Sequence, residues 1–455
     1  MTRLPQRLPH RLPRLVIAAP ATGQGKTTVS TGLMAALARR GLEVSGHKIG
    51  PDYIDPGYHA LACGRPGRNL DPHLVGERRI VPLLLHGART PVPADVAIIE
   101  GVMGLYDGRM GGGGFSSTAH VAALTRTPVV LVVDISRSSR SIGAVVHGMA
   151  TWDPAVEVVG VILNKAGSPR NVAEVRSSIV LPVLGAIPRD EAVSAPSRHL
   201  GLVPAAEREL SAAALDRLAE QVAEHVDLDA VLALAATAPD LDATPWDPSA
   251  EMIPVDGSPL VAMAGGRAFT FRYTETEELL RAAGCEVVTF DPLVDEALPV
   301  GTRGLYLGGG FPEVHAADLT ANAPLRRALA DAVGRGLPTV AECAGLLYLA
   351  STLDDSVMVG AIPATAAMTD RLTLRYPEAV AVSDSLLTRA GEHVTGHEFH
   401  RTHVLPGAGE APAWEVDGEH VGFTSPTLHA SYLHLHWAGH PRLAQRFADA
   451  VATGA

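Results

Sequence analysis

Residues 16–28 read Val-Ile-Ala-Ala-Pro-Ala-Thr-Gly-Gln-Gly-Lys-Thr-Thr, and this stretch sets the architecture of the first half of the chain. An apolar run of strand length leads into a glycine-containing loop, and a helical pattern then continues as far as Gly41. A strand, a loop and a helix N-terminus in this order aim backbone N–H groups and a helix dipole at phosphate oxygens. The stretch therefore predicts a nucleotide phosphate site on a parallel α/β sheet.

The side chains of this loop suit a nucleoside triphosphate bound together with Mg²⁺. Lys26 would neutralise the β- and γ-phosphates, and Thr27 would offer its hydroxyl to Mg²⁺. Pro20 stands where the usual P-loop pattern has its first glycine, so the loop is a variant of that pattern. The remaining loop residues that we expect to bind ATP are Gly23, Gly25 and Thr28.

Apolar runs that alternate with helical patterns extend the prediction to the rest of the chain. The predicted strands of the first series lie near 14–19, 42–48, 94–100, 128–135, 156–164 and 181–187. Such alternation predicts a doubly wound parallel sheet, and a second α/β series starts at residue 260. Between the two series lies an acidic segment rich in Ala, Asp and Pro. We therefore predict a P-loop-type domain over 14–225, a linker over 226–258 and a second α/β domain over 259–455.

Composition excludes several classes of protein. A net charge of -12 over 455 residues gives no basic field that would attract nucleic acid or an anionic membrane. No apolar run approaches the roughly 18 residues of a membrane span. The three cysteines are odd in number and lack metal-ligand spacing, which favours a reducing cytoplasm over a disulfide framework or a zinc site.

Acidic residues gather in loops that follow the predicted strands of the first domain. Glu100 ends a buried strand, and a strand-end acid beside a P-loop is where Mg²⁺ is usually held. The Gly/Pro-rich segment 48–59 and the residues just after it add Lys48 and the acids Asp52, Asp55 and Asp71. This crowding suits metal binding and charge neutralisation. The spacing alone leaves open whether each acid is a ligand or a loop and capping residue.

A second pattern, centred on Cys343, indicates a nucleophile in the C-terminal domain. Residues 339–348 read as a strand, a tight turn and a helix, which would place the thiol at a helix N-terminus that lowers its pKa. Gly308, Gly309 and Gly310 follow another strand and could present N–H groups to an oxyanion. A thiol that attacks an amide needs a base, and alternation along a strand would point His434 and His436 to the same side. Two further candidates for this base are His397 and His400.

On these segments the whole chain, from residue 14 to about 450, resembles the cobyrinate / hydrogenobyrinate a,c-diamide synthase family of corrinoid biosynthesis. The resemblance implies an amidoligase domain similar to dethiobiotin synthetase, followed by a class I, triad-type glutamine amidotransferase domain. The implied activity is ATP- and glutamine-dependent amidation of the a and c acetate groups of hydrogenobyrinic or cobyrinic acid, a step of cobalamin biosynthesis. The corrin-ring acid, ATP with Mg²⁺, and glutamine would be its small-molecule partners.

The resemblance also implies roles for individual residues. It places Lys26 and Lys48 on phosphates, and Asn164 on the nucleotide base. It places Thr27, Asp71 and Glu100 around Mg²⁺. The positions that it connects with substrate activation are Asp52, Tyr53, Asp55 and Asp107. Because corrinoid amidases lack the acid of other triad glutaminases, it favours His434 over His436 as the base, with no acid behind it.

Three alternatives stay open beside this interpretation. Cobyric acid synthases amidate other side chains of the same ring, but they lack a segment like Lys48 to Pro56. Nickel-sirohydrochlorin a,c-diamide synthases are separated from this sequence only weakly by motifs. A non-catalytic P-loop switch ATPase would carry a second lysine where this chain has Ala21. The Ala/Arg/Pro-rich composition is typical of a high-GC genome, and since such organisms often amidate the metal-free ring, it favours that ring as the substrate. We also expect a cytoplasmic enzyme, with a homodimer as its candidate assembly.

Overall fold

The structure is a computed structural model that describes residues 10–190, 197–198, 201–202 and 211–454. The described chain divides into two compact units, the first ending at Trp246 and the second beginning at Asp247. No helix among the described residues is both long and apolar enough to cross a lipid bilayer.

The first unit is built on a seven-stranded sheet. Its strands are β1 (Arg14–Ala18), β2 (Val44–Ile49), β3 (Arg68–Leu70), β4 (Val96–Glu100), β5 (Val129–Asp134), β6 (Val158–Ala166) and β7 (Val183–Pro188), and two short strands follow, β8 (Ser197–Arg198) and β9 (Gly201–Leu202). The order is β3-β2-β4-β1-β5-β6-β7, and every pair is parallel. The doubly wound parallel sheet that the alternation predicts is therefore present. The sequence missed β3 because its Arg-Asn-Leu carries no apolar run.

Helices cover this sheet and complete the core of the first unit. They are α1 (Lys26–Arg39), α2 (Ile54–Cys63), α3 (Pro72–Val75), α4 (Glu77–Arg89), α5 (Thr118–Thr125), α6 (Ser141–Thr151), α7 (Pro169–Arg176), α8 (Ser211–His225) and α9 (Leu228–Ala235). Helix α1 packs closely against α8, since a Cβ atom on Gly32 would lie 2.6 Å from the side chain of Val222. That close approach holds the helix behind the phosphate loop firmly in place.

The segment predicted to be a linker, 226–258, is largely folded. Leu228, Val231 and Ala235 of α9 are buried in the core of the first unit, at the i, i+3, i+7 spacing of a helix face. Trp246 is 5% exposed and meets His86 edge to face at 5.0 Å. The acidic, alanine-rich composition concealed this apolar stripe. Only residues beyond Trp246 fall outside the first unit, and they include α10 (Pro248–Glu251).

The second unit has a six-stranded sheet at its centre and two four-stranded sheets beside it, one antiparallel and one mixed. Its strands are β10 (Leu260–Ala264), β11 (Glu286–Phe290), β12 (Thr302–Leu307), β13 (Thr339–Glu342), β14 (Thr352–Leu353), β15 (Ser356–Val357), β16 (Thr365–Arg375), β17 (Glu378–Ala381), β18 (His393–Thr395), β19 (Glu398–Leu405), β20 (Trp414–Val416), β21 (Glu419–Val421), β22 (Phe423–Thr424) and β23 (Leu428–Ser431). Its further helices are α11 (Thr274–Ala282), α12 (Ala316–Ala321), α13 (Ala323–Gly334), α14 (Ala344–Leu349) and α15 (Pro441–Thr453).

The strand order of the central sheet brings distant residues together. It is β11-β10-β12-β13-β23-β22, with only the β22–β23 pair antiparallel. Strands β13 and β23 are parallel neighbours in which Glu342 lies opposite Ser431. The residues that follow both strands, Cys343 on one side and His434 on the other, therefore leave the same edge of the sheet.

Candidate active sites

The phosphate loop owes its shape to two glycines. Gly25 precedes α1 with φ 91°, and Gly23 has φ 82°, values that favour glycine. A Cβ atom on Gly25 would lie 2.1 Å from Nδ2 of Asn164, which itself donates to the carbonyl of Gln24 at 2.8 Å. The predicted nucleotide residue Asn164 thus braces the loop directly.

Lys26 is buried at the start of α1. Its ammonium donates to the carbonyl oxygens of Met103 and, at 3.4 Å, Ala21. Burial, together with the neighbouring Lys48 ammonium, lowers the pKa of Lys26 to about 8. Phosphate oxygens would stabilise its charged form, so the structure favours an anion at this position.

Glu100, at the end of β4, is the centre of a buried polar cluster. Its Oε1 accepts from Thr27 Oγ1 at 2.6 Å and from Lys48 Nζ at 3.0 Å. Its Oε2 accepts from Ser30 Oγ at 2.7 Å and lies 2.7 Å from Nε2 of His59. Burial alone would raise the pKa of Glu100, but Lys48 and His59 outweigh it and hold that pKa well below its usual range. The sequence analysis singled out neither Ser30 nor His59, which become recognisable only once α1 and α2 are placed.

Asp55 joins the same cluster from the start of α2. Its Oδ2 lies 2.6 Å from Lys48 Nζ and accepts from Thr27 Oγ1 at 3.2 Å. Burial would lower the pKa of Lys48, but the Asp55 and Glu100 carboxylates raise it instead. Burial and the carboxylates of Asp52 and Glu100 raise the pKa of Asp55. Lys48 thus faces two buried acids, which leaves room for a further positive charge.

Asp71, expected beside Thr27 and Glu100, lies elsewhere. It precedes α3, where its Oδ1 accepts from the N–H of His73 at 2.8 Å and from Ser116 Oγ at 3.3 Å. Strand β2 separates β3 from β4, so Asp71 and Glu100 leave the sheet about 10 Å apart. The carboxylate beside Thr27 and Glu100 is Asp55.

The other predicted substrate residues hold loops in shape. Asp52 Oδ1 accepts from the N–H groups of Ile54, at 2.7 Å, and Asp55, at the first turn of α2. Tyr53 is the half-buried residue that precedes this helix. Asp107 accepts from the N–H of Gly104 at 3.0 Å and so closes the turn after β4. In this conformation Asp52 and Asp107 therefore act as capping and turn residues that accept backbone hydrogen bonds.

The donor set around Glu100 fits Mg²⁺. Among the described residues, no group of three or more His, Cys, Asp or Glu side chains is arranged to hold a metal ion. Mg²⁺, however, commonly needs only one or two carboxylates, with substrate phosphates and water as its other ligands. The Thr27 hydroxyl and the Asp55 and Glu100 carboxylates supply such hard oxygen donors next to the phosphate loop.

A cavity of about 630 Å³ opens beside the phosphate loop. Lys165 has φ 52°, and its ammonium contacts Asp134 Oδ2 at 2.7 Å and the carbonyl of Gly23 at 3.1 Å. Residues from the loop and its helix and from the ends of β5, β6 and β7 line this space, among them Gln24, Thr28, Asp134, Asn164, Lys165 and Arg189. The sequence indicated Thr28 and Asn164 but not Asp134, Lys165 or Arg189, which are scattered along the chain.

Cys343 lies on a sharp turn between β13 and α14. It has φ 50° and ψ -98°, an unusual conformation for a residue with a side chain, and its N–H donates to the carbonyl of Ser431 at 2.8 Å. A Cβ atom on Gly345 would lie 2.3 Å from the carbonyl oxygen of Leu307, so only glycine lets the turn pack this tightly. The strand–turn–helix arrangement around the thiol is the one that the sequence predicted.

The resting thiol, however, has a raised pKa. Burial raises the pKa of Cys343 and the Glu313 carboxylate adds to this, whereas the N–H of Ala344 opposes it. Helix α14 has only six residues, and the side chain lies in a site that is 4% exposed. Desolvation therefore outweighs the dipole effect that the sequence analysis expected, and ionisation of the thiol needs a nearby base.

The glycine run after β12 is only partly available to an oxyanion. The N–H of Gly309 donates to the carbonyl of Phe271 at 2.9 Å, and the carbonyl of Gly308 accepts from Gly345 at 3.0 Å. The Gly309 N–H is thus engaged in this conformation, contrary to expectation. Gly308, Gly310 and Ala344, the residue after the nucleophile, are left as candidate donors.

His434 and His436 do not share one environment, as simple strand alternation would have them do. Strand β23 ends at Ser431, before either histidine. His434 lies against the glycine run, since a Cβ atom on Gly309 would come within 2.4 Å of its Cε1. His436 instead stacks on Tyr273 at 4.1 Å. This difference supports His434 as the histidine beside the thiol.

Each of these histidines faces its own buried acid. His434 Nδ1 lies 3.9 Å from Oε2 of Glu342, and His436 Nε2 lies 3.6 Å from Oε2 of Glu275. All four side chains are almost fully buried. An acid, Glu342, the residue just before the nucleophile, thus lies near the candidate base, where the sequence led us to expect none.

The two other histidine candidates flank the site. The ring of His397 stacks on that of His434, with centroids 4.8 Å apart. His400 stacks on Tyr432 at 3.8 Å, and its Nδ1 contacts the carbonyl of Thr402 at 2.9 Å. His397 thus packs against the candidate base, and His400 is held by Thr402 of its own strand, β19, and by Tyr432.

Two family models match the chain, one in each half. Residues 15–203 match a CobQ/CobB/MinD/ParA nucleotide binding domain. Residues 261–442 match a CobB/CobQ-like glutamine amidotransferase domain. The nucleotide site and the Cys343 site therefore fall within the domains to which their chemistry belongs.

Relatives of known function align with nearly the full chain. A hydrogenobyrinate a,c-diamide synthase of Thermobifida fusca is 59% identical, over 97% of this chain and 97% of its own length. One from Streptomyces coelicolor is 52% identical, over 97% and 98%. A cobyrinate a,c-diamide synthase of a Synechococcus species is 41% identical, over 96% and 98%.

Proposed function

This chain belongs to the family of hydrogenobyrinate and cobyrinate a,c-diamide synthases, and on that basis we propose that it amidates the a and c acetate groups of a corrin-ring acid. It is a carbon–nitrogen ligase that uses ATP, with glutamine as the nitrogen donor. The observation that carries the proposal is the presence, in one chain, of a buried Lys–Asp–Glu cluster at a phosphate loop and of a cysteine on a strained turn whose preceding residue, Glu342, lies 3.9 Å from His434.

The nucleotide half activates the carboxylate. We infer that the cavity beside Asn164 holds the nucleoside of ATP. The phosphates then extend along the loop to Lys26, whose protonated ammonium neutralises their charge. Lys48 offsets the charge that develops as the γ-phosphoryl group passes to the acetate oxygen. Mg²⁺, held by Thr27, Asp55 and Glu100, would supply further neutralisation of phosphate charge. The product of this step is an acyl phosphate and ADP.

The glutaminase half supplies ammonia. His434 accepts the proton of Cys343, and the thiolate attacks the side-chain amide of glutamine. The tetrahedral oxyanion is stabilised by backbone N–H groups drawn from Gly308, Gly310 and Ala344. His434 returns the proton to the leaving nitrogen, and water then hydrolyses the glutamyl thioester. Ammonia displaces phosphate from the acyl phosphate and leaves the ring with an amide.

We propose the metal-free ring, hydrogenobyrinic acid, as the substrate. The relatives that are 49–59% identical are hydrogenobyrinate enzymes, and those named for cobyrinate are 38–41% identical. These names support the a,c-diamide reaction over the cobyric acid synthase, nickel sirohydrochlorin and switch-ATPase alternatives. The unpaired Cys63, Cys285 and Cys343 fit a reducing cytoplasm, and a homodimer remains part of the proposal.

The test is to follow glutamate release and ATP hydrolysis with hydrogenobyrinic acid, cobyrinic acid or neither. We expect both activities to rise several-fold with the tetrapyrrole acid, and more at equal concentration with the metal-free ring. If neither acid changes either activity, the substrate is wrong. If cobyrinic acid is the better substrate, only the assignment of the metal-free ring fails.

A further inference from the structure

Resting on the proposed glutaminase, we propose that Glu342 is a positioning residue that orients His434 as the base for Cys343. Glu342 is the last residue of β13 and immediately precedes the nucleophile. Its carboxylate therefore points from the adjacent strand toward the histidine that must accept the thiol proton.

The Glu342 side chain is held in one position beside His434. Its Oε2 lies 3.9 Å from Nδ1 of His434 and accepts from the hydroxyl of Tyr306 at 3.0 Å. The backbone N–H of Leu435 also bonds to this carboxylate. These two donors fix the oxygen beside the imidazole, whereas Oε1 is buried without a hydrogen-bond partner among the described residues. A buried carboxylate with an unsatisfied oxygen costs stability, so its presence calls for a functional explanation.

The protonation chemistry of histidine explains what an interaction between Glu342 and His434 would achieve. A neutral imidazole has one N–H donor and one acceptor nitrogen, and its partner determines which nitrogen carries the proton. If Glu342 closes the 3.9 Å separation and accepts from Nδ1–H, then Nε2 is the nitrogen that can take the thiol proton. The ionised carboxylate also stabilises the imidazolium that forms with the thiolate, which the burial of Cys343 otherwise disfavours.

The ionisation state of Glu342 should therefore control the glutaminase. Burial raises the pKa of Glu342 to about 8, although the Tyr306 hydroxyl and the Leu435 N–H oppose this. Below that pH the protonated carboxyl donates to Nδ1 and holds the proton of His434 on Nε2, the wrong nitrogen. Above it the carboxylate accepts, so activity should rise as the pH increases through about 8.

Other charged and titratable groups surround this pair. On the His434 side they are His397, His400 and Glu398, and on the Glu342 side they are Tyr306, Tyr273, Arg272 and Cys343. Burial lowers the pKa of His434 to about 3, and the pKa of Glu398 is also lowered because its bonds to His400 and Arg375 outweigh its burial. Burial raises the pKa of Tyr306 well above its usual range. Glu342 is thus the group in this set whose pKa places a change of protonation near pH 8.

The second histidine–acid pair offers a matched control. Glu275 is as deeply buried as Glu342 and lies 3.6 Å from His436, slightly closer than Glu342 lies to His434. Glu275 nevertheless sits on α11, whereas Glu342 adjoins the nucleophile. If burial of any such acid mattered equally, Glu275→Gln and Glu342→Gln would behave alike.

The experiment measures kcat and KM for glutamine hydrolysis from pH 6 to 9.5 in the full-length enzyme, with ATP and the tetrapyrrole acid present. For Glu342→Gln we expect kcat to fall roughly 10- to 100-fold, with KM for glutamine nearly unchanged and the acid limb of the pH profile lost. Glu342→Asp should keep that limb at an intermediate kcat, and Glu275→Gln should keep the wild-type profile. Tyr306→Phe removes a donor to the ionised carboxylate, so its limb should move to higher pH.

The outcomes separate this inference from the proposed function. Ammonia-dependent synthesis by each variant reports whether it is folded and whether the synthetase half works. If Glu342→Gln does not fold, Glu342→Asp and Tyr306→Phe decide by the position of the limb. A wild-type profile in Glu342→Gln, loss of the limb in Glu342→Asp or an unmoved limb in Tyr306→Phe would overturn the inference, as would an equal loss in Glu275→Gln. An inactive wild-type enzyme would instead refute the proposed function.

Discussion

Gly309→Ala should disable the glutaminase while leaving the synthetase intact. In the structure a Cβ atom at this position would lie 2.4 Å from Cε1 of His434 and 3.0 Å from Cβ of Phe271. The φ angle of Gly309 lies outside the left-handed range, so alanine meets no backbone strain there and its effect is steric. Because carbon atoms normally stay about 3.5 Å apart, the imidazole must move by about 1 Å.

The size of the effect follows from that displacement. Misplacing a catalytic group by about 1 Å can cost about 10²-fold in rate, which corresponds to about 2.7 kcal/mol of transition-state stabilisation. We therefore expect kcat for glutamine hydrolysis to fall by about 10²-fold. Synthesis supported by free ammonia should stay within about two-fold of wild type, because the nucleotide site is untouched.

The assay compares glutamine-dependent and ammonia-dependent amidation in the same preparation. Gly334→Ala is the control, since Gly334 is exposed at the end of α13 and a Cβ atom there would meet no atom within 4 Å. We expect it to behave as wild type in both assays. Wild-type glutamine hydrolysis by Gly309→Ala would show that His434 does not act from this position, and the assignment of the base would fail.

Three further predictions concern the nucleotide site. Gly25→Ala should weaken ATP binding at least 10-fold by calorimetry, because its Cβ atom would meet Asn164 at 2.1 Å, whereas Gly148→Ala, which meets nothing within 4 Å, should bind normally. ATP affinity should fall as pH rises through about 8, because Lys26 then loses its proton. An affinity that stays the same from pH 7 to 9.5 would contradict this. Glu100→Gln should abolish synthesis with either nitrogen source. Because it breaks the buried ion pair with Lys48, it should also lower the free energy of unfolding by roughly 3–5 kcal/mol in urea titrations. Unchanged stability would refute that reasoning.

Local patterns in the sequence were sufficient for the main architecture. The strand, loop and helix around Lys26 and the strand–turn–helix around Cys343 are both present, because each motif lies within one short stretch of chain. The antiparallel strands of the second unit were not predicted, since β16, exposed along much of its length, lacks a regular apolar alternation. Helix α9 was missed because the acidic, alanine-rich composition of its segment concealed its apolar face.

Which residues make up each site could not be predicted from local patterns, because it depends on contacts between residues far apart in the sequence. Spacing alone did not separate Asp55 from Asp71, and the resemblance assigned Mg²⁺ to Asp71. Only the position of β2 between β3 and β4 brings Asp55 to Glu100. Glu342 adjoins Cys343 in the chain, but its partner His434 follows 92 positions later by residue number, through the pairing of β13 with β23. The thiol pKa was misjudged because burial of the Cys343 side chain cannot be read from a local motif.

The most direct test of the central claim is to supply glutamine labelled with ¹⁵N in its amide, together with ATP and hydrogenobyrinic acid, and to locate the label in the product. We predict that the wild-type enzyme places labelled nitrogen in the amides of both the a and c side chains. Cys343→Ser should transfer none from glutamine but should form both amides from ¹⁵N-ammonium. Transfer from glutamine by Cys343→Ser, or label in any other side chain, would contradict the account.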